Sequence, residues 1–212
     1  MEIQIGNQTY VMLREKALFR PADDTLILAD LHLGKAQHFR KNGIYIPQKS
    51  AEKDYERLTA LIHSTKPARI ILLGDLFHST YNHEWQLFCE FVDGFKQIEF
   101  VLVLGNHDIL DKVHYKNICS EIVENTFEEG DVIFSHHPLK KIPTGKVCLA
   151  GHIHPGVVMQ GKAKQQVKLP CFYQHANQLI LPAFGSLTGL QVIKPEKDAQ
   201  VYVITTNRVV AL

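Results

Sequence analysis

Five short apolar runs recur along the chain, and each stops at a cluster of polar side chains. Thr25-Leu26-Ile27-Leu28-Ala29 stops at Asp30-Leu31-His32, and Arg69-Ile70-Ile71-Leu72-Leu73 stops at Gly74-Asp75. Phe100 to Leu104 runs into Gly105-Asn106-His107-Asp108, Val132 to Ser135 into His136-His137, and Val147 to Ala150 into Gly151-His152-Ile153-His154. Runs of this length bounded by turn residues predict buried strands. Between them the apolar spacing changes to helical steps. Tyr55, Leu58, Leu61 and Ile62 form one stripe, which Pro67 ends. Ser50 is its expected cap, although Lys53 stands where a capping box would have Glu. Trp85, Phe88, Val92 and Phe95 recur at steps of three, four and three and predict a second amphipathic helix whose aromatics pack on a sheet. Residues 109 to 118 read as a short helix or irregular chain, and Glu121 to Glu124 as an edge strand. Phe127 to Asp131 reads as a tight turn into the fourth run.

The two ends of the chain differ from this middle. Residues 1 to 20 read as strands around a turn at Gly6-Asn7, and Pro21 to Asp24 as another turn. After Pro155 only strands are expected: Val157 to Met159, Val167 to Gln174, Gln178 to Leu181, Leu190 to Ile193 and Val201 to Thr205. His175-Ala176-Asn177 is a hairpin connection between two of them. Strand–helix alternation followed by strands alone, with no repeat or linker, predicts one α/β domain over residues 1–212. Its two packed sheets would carry helices outside.

Composition narrows the function classes only slightly. A chain of 212 residues is long enough for one sizeable core. A net charge of +1 supplies no global field toward nucleic acid or an anionic membrane. Cys89, Cys119, Cys148 and Cys171 are far apart, without C-x-x-C spacing, which points to reduced thiols in a cytoplasmic protein rather than disulfides. No cationic-then-apolar start marks a signal peptide, and no run approaches the roughly 20 apolar residues of a membrane span.

The chemistry lies in the five polar clusters. Carboxylate, amide and imidazole without cysteine make a mixed oxygen and nitrogen donor set, which favours Mn, Fe or Zn. Asp30, His32, Asp75 and His154 can form one site, and Asp75, Asn106, His136 and His152 a second, with Asp75 bridging two divalent metal ions. In D-x-H and H-x-H, alternation along an extended segment would put both donors on the same side. Two metals about 3.5–4 Å apart activate water and stabilise the attacking and leaving oxygens of a phosphoryl transfer. The leaving group also needs a proton. His107 is assigned as general acid or electrostatic catalyst, with Asp108 as its orienting partner. Spacing alone leaves open whether His136 or His137 is the ligand; position directly after the strand favours His136, leaving His137 to face substrate. The loop from Gly34 to Gly43 is expected to overhang the site and bring Lys35, His38 and Arg40 to substrate. His78, three residues past Asp75, either touches substrate or holds its loop. His63, His83, His114 and His175 read as surface or supporting residues.

The order D-x-H, G-D, G-N-H-D, H, G-H-x-H resembles the calcineurin-like metallophosphoesterases, over about residues 25 to 155. The resemblance implies a four-layer αββα sandwich of two mixed sheets flanked by helices, and the ligand roles just given. Ala29 to Ala36, Leu169 to Phe172 and Leu181 to Gly189 further resemble the ligase-associated DNA damage response phosphoesterases. That narrower likeness implies manganese-dependent phosphodiesterase or endonuclease action on DNA. It also implies partners among a DNA ligase, an exonuclease and a helicase. His136-His137 stands where that family has one His followed by an acidic residue. The alternatives are a small-molecule or nucleotide/lipid pyrophosphate phosphoesterase of the same fold, and a scaffold without activity. Lysines at 35 to 41, 140 to 146 and 162 to 168 offer phosphate contacts, and the apolar C-terminal strands offer a surface for a homodimer.

Overall fold

The apolar runs become the central strands of two mixed sheets packed face to face in a computed structural model, which describes residues 1–35, 49–161 and 164–212. The first sheet has the order β1 (Glu2–Ile5), β2 (Gln8–Leu13), β3 (Ala17–Arg20), β4 (Thr25–Ala29), β5 (Arg69–Leu73), β6 (Glu99–Val103) and β7 (Glu121–Val123). It is antiparallel up to β4 and parallel from β4 to β7. Helices α1 (Lys49–Thr65), α2 (His83–Asp93) and α3 (Lys112–Lys116) are the parallel crossovers.

The second sheet is built from β8 (Thr126–Glu129), β9 (Val132–Ser135), β10 (Val147–Ala150), β11 (Pro155–Gln160), β12 (Gln166–His175), β13 (Gln178–Ile180), β14 (Gln191–Val192), β15 (Gln200–Ile204) and β16 (Val209–Ala211). Its order is β14-β11-β12-β13-β10-β9-β8, with β15 on β12 and β16 on β15. The neighbours β9, β10 and β13 are parallel.

Side-chain alternation sorts each central strand into two cores. Leu26, Leu28, Ile70, Leu72, Phe100 and Leu102 face the helices and meet Leu58, Leu61, Ile62, Trp85, Phe88 and Tyr115. The intervening Ile27, Ala29, Ile71, Leu73, Val101 and Val103 face the second sheet and meet Val132, Phe134, Leu149, Phe172, Leu179 and Leu181. Burial on both faces is why these runs carry no polar alternation. The other face of the second sheet holds a smaller strand-and-loop cluster around Val157, Cys171, Val201 and Val203.

At the amino ends of β4 and β5 an ion cluster ties the sheets together. Arg20 on β3 reaches Asp23 at 2.6 Å and Glu129 on β8 at 2.7 Å, and Arg69 on β5 reaches Glu129 at 2.6 Å.

Several boundaries differ from the sequence reading. The first helix already includes Lys49 and Ser50, so it starts before the expected cap. The second ends at Asp93 and is capped at its start by Asn82; Phe95 lies beyond Gly94 but still packs on the same core. Phe127 to Glu129 is not a turn but part of β8, paired antiparallel with β9, and only Gly130-Asp131 turns. The short β16 escaped notice because three residues at a chain end carry too little pattern to read. The four cysteines are free thiols; burial pushes Cys119 and Cys171 up to about 12 and Cys148 to about 11. No helix among the described residues is long and apolar enough to cross a membrane.

Candidate metal centre

All five polar clusters emerge at carboxyl ends of neighbouring parallel strands. Ala29, Leu73 and Val103 are in register across β4, β5 and β6, and Ser135 and Ala150 across β9 and β10. The β4–β5 ladder extends past the strands, with the Asp30 amide donating to Gly74 O at 3.2 Å and the His32 amide to Asp75 O at 2.8 Å. The D-x-H and H-x-H pieces are not extended, as the alternation argument required. Asp30, His32, Asp75, His152 and His154 have φ of +54°, +49°, +48°, +70° and +53°. They are five of the ten non-glycine residues with positive φ among the described residues. Each such backbone costs about 1–2 kcal/mol, a strain that surrounding structure sustains at functional sites. Gly74, with φ +75°, lies so close beneath His136 that a Cβ there would fall 2.3 Å from Nδ1.

The donor atoms form two groups. In the first, His154 Nε2 is 3.4 Å from Asp30 Oδ1 and 3.3 Å from His32 Nε2, which is 3.6 Å from Asp75 Oδ2. In the second, His136 Nε2 is 3.5 Å from Asp75 Oδ1, 3.1 Å from Asn106 Oδ1 and 3.2 Å from His152 Nδ1. Asp75 thus sends one oxygen to each group. Asp30 Oδ1 also approaches His136 Nδ1, at 3.8 Å. That nitrogen, however, donates to Leu73 O at 3.0 Å and faces away from a shared ion.

These residues fit divalent cations. The Nδ1–H bond leaves His136 Nε2 with a lone pair, so Nε2 and Asn106 Oδ1 are two acceptors 3.1 Å apart, which repel unless a cation lies between them. Asp30 is fully buried, and its Oδ1 has no hydrogen-bond partner among the described residues, an orphaned charge that an ion would satisfy. Ligands about 2.1 Å from a common ion lie roughly 3.0–3.4 Å from each other, close to the separations here. Burial, with Lys35 and neighbouring imidazoles adding like charge, pushes His32 down to about 2; burial also lowers His152 and His137. Neutral imidazole is the form that ligates.

Around these groups the other expected residues take definite places. The His107 amide donates to Asp75 Oδ1 at 2.9 Å, and its ring stacks on His78 at 3.8 Å between centroids. His78 Nδ1 lies 3.1 Å from His32 Nδ1, so His78 is a neighbour of the donor set as well as of His107. Asp108 does not orient the His107 ring through its carboxylate. Its oxygens accept from the backbone amides of Phe77, at 3.0 Å, and Gly105, at 2.8 Å, and tie the β5 and β6 loops together. Burial pushes its carboxyl up to about 7, against those two bonds. Buried His136 points inward, whereas exposed His137 packs its ring 4.1 Å from His152 at the rim. Lys35 is close enough to Asp75 and Asp30 for their charges to act on it. His38 and Arg40 lie outside the described residues.

The sequence reading missed one element of the site. The chain from Leu181 to Ser186 crosses from β10 to β4 directly beneath Asp30, with Phe184 N donating to Ala29 O at 2.8 Å and Gly185 N to Asp30 O at 3.1 Å. Only the narrower family resemblance had marked that stretch. Its partners on α1, Asp54 and Arg57, look like ordinary solvated helix charges in the sequence.

The chain superposes on the crystal structure of Pseudomonas putida nuclease MPE with a TM-score of 0.84 and 27% identity, covering 100% of this chain and 99% of that one. A protein of unknown function, AQ665 from Aquifex aeolicus, aligns at 20% identity and a TM-score of 0.45, covering 61% and 78% of the two chains. The E. coli phosphoesterase YfcE aligns at 13% and 0.43, covering 86% and 88%. A search of curated proteins returned no match. The family model described as calcineurin-like phosphoesterase matches residues 24–185, a span that takes in all five clusters and the strap beneath Asp30 as far as Gly185. The chain belongs to the calcineurin-like phosphoesterase family and is a metal-dependent phosphoesterase.

Proposed function

We propose that the chain is a two-metal phosphodiesterase that cuts DNA. The observation that carries this reading is Asp75, whose two oxygens reach separate donor groups: Oδ2 toward His32 and Oδ1 toward His136. Asp30, His32, Asp75 and His154 hold one ion, and Asp75, Asn106, His136 and His152 the other. Divalent ions bound there, manganese being the first candidate, supply Lewis acidity and a lowered water pKa. Neutral Asn106 ligates without adding a third carboxylate to a site that must accept a phosphate. His107, fixed to Asp75 by its amide and to His78 by stacking, delivers the proton to the leaving oxygen or stabilises its charge. Lys35, on which the charges of Asp75 and Asp30 act, and the exposed His137 are the phosphate contacts, with His78 stacked on His107. A nucleic-acid substrate is supported by the similarity to the Pseudomonas putida nuclease, and DNA in particular by the narrower family resemblance. The narrower resemblance of Leu181 to Gly189 supports a place in DNA repair beside a ligase, an exonuclease and a helicase.

The test is manganese-dependent nicking of circular single-stranded DNA by the purified protein, with His107→Ala alongside. Cutting by the parent alone is the expected result. A parent that hydrolyses a small aryl phosphodiester but leaves DNA intact would sink the DNA reading and favour a small-molecule diester.

A further inference from the structure

The strap beneath Asp30 is itself gripped from the other side. Asp54 on α1 is buried, and both its oxygens are used on Ser186: the Ser186 amide donates to Oδ2 at 2.8 Å and its hydroxyl to Oδ1 at 2.6 Å. Arg57, one helical turn on, donates to Asp54 Oδ1 at 2.8 Å and to the carbonyl of Phe184, and its guanidinium lies 4.1 Å over the Phe184 ring. Phe184 and Gly185 in turn hold the backbone oxygens of Ala29 and Asp30. At Gly185 a Cβ would fall 2.2 Å from Leu31 O and 3.3 Å from Asp30 O, so the strap lies directly against both carbonyls, and its amide holds that of Asp30. The carbonyl thus held belongs to a residue with φ +54° and an orphaned buried Oδ1.

We propose that Asp54, Arg57 and Ser186 are positioning residues for metal binding. They clamp the strap against Asp30 and keep its backbone left-handed and its carboxylate aimed into the first donor group. The inference rests on the two-metal reading of the site. No clamp residue is assigned to an ion or to substrate. The clamp acts by prepaying the strain of Asp30 before any ion arrives, so its loss weakens ion affinity without removing a ligand. Partners that orient ligands in this way change metal affinity by about 10–100-fold.

The experiment measures manganese affinity directly, from the free-ion electron paramagnetic resonance signal, well below the unfolding temperature. Asp54→Ala removes the anchor and Ser186→Ala half of its bonds. Leu61→Ala, on the same helix but in the apolar core, is the control for destabilisation alone. Affinity at one site falls at least about 10-fold in Asp54→Ala and less in Ser186→Ala. Ser186→Thr, which keeps the hydroxyl, restores it, and Leu61→Ala binds as the parent. If Asp54→Ala does not fold, the Ser186 pair carries the test. Parental affinity in the clamp variants overturns the clamp and leaves the two-metal reading standing. An equal loss in Leu61→Ala also overturns it, since general loosening would then suffice. A parent that binds no manganese overturns both.

Discussion

A single side chain, Asp75, joins the two donor groups, and a single imidazole, His107, stands next to it without being one of the donors. Their roles separate under substitution. His107→Ala should lower kcat by about 10²–10⁴-fold while leaving manganese affinity unchanged, because the bond to Asp75 comes from the His107 backbone. A parallel loss of metal would return His107 to the ligand set. Gly74 shows the same economy of space. Gly74→Ala would put a methyl into the His136 ring and force an alanine to φ +75°. Left-handed strain and overpacking together predict roughly 2–5 kcal/mol of destabilisation, read from urea midpoints. A neutral result would mean that His136 moves aside readily. The candidate donor residues were legible in the sequence at this scale because their chemistry is unusual in type and order. The Asp54 clamp was not, because an Asp and an Arg on a helix surface are commonplace until a distant loop is seen to need them.

Among elements, the fold holds its sheets together at both ends by different means. The carboxyl ends meet at the donor groups. The amino ends meet at the Arg20, Asp23, Arg69 and Glu129 cluster. Burial disfavours the Glu129 charge, but hydrogen bonds from Arg69 and Arg20 outweigh it and hold the carboxyl below its ordinary range. Asp23 is lowered for the same reason, by Arg20 against burial. Their folded pKa values are depressed, so the stability they add is present above the unfolded value of about 4 and is lost as pH falls through the folded values. Glu129→Gln should therefore cost about 2 kcal/mol at neutral pH and flatten the acid limb of the stability curve. An unchanged acid limb would show that the cluster contributes no linkage. The strands β4, β5, β6, β9 and β10 were readable because burial on both faces leaves continuous apolar runs. β8 reads as a turn in the sequence because Glu128 and Glu129 are poor strand formers leading straight into the turn residues Gly130-Asp131, and only pairing with β9 makes them strand.

For the molecule as a whole, the strained and orphaned groups at the site imply that the ion-loaded protein is the more stable one. Manganese at about 100 times its dissociation constant should add about 2.7 kcal/mol, or roughly 5–10 °C in Tm for a chain of this size. Removal with a chelator should reverse the shift. A Tm indifferent to manganese would mean that the pocket is not a metal site in this chain.

Chain order alone determined which polar clusters are candidates for the chemistry, that they end strands, and that strands with helices precede strands without them. Those features are local, since periodicity and ligand type are written in neighbouring residues. What needed the tertiary structure was every relation across the chain: one edge shared by five strand ends, Asp75 facing two groups, His136 rather than His137 turned inward, and Asp108 bonded to backbone. The left-handed kinks at Asp30 and His32 also belong here. They are set by contacts with Gly74, Asp75 and the strap at Phe184 and Gly185, residues about 40 to 150 positions away, and a short window of sequence holds no trace of a force that arises only when distant backbone closes over it.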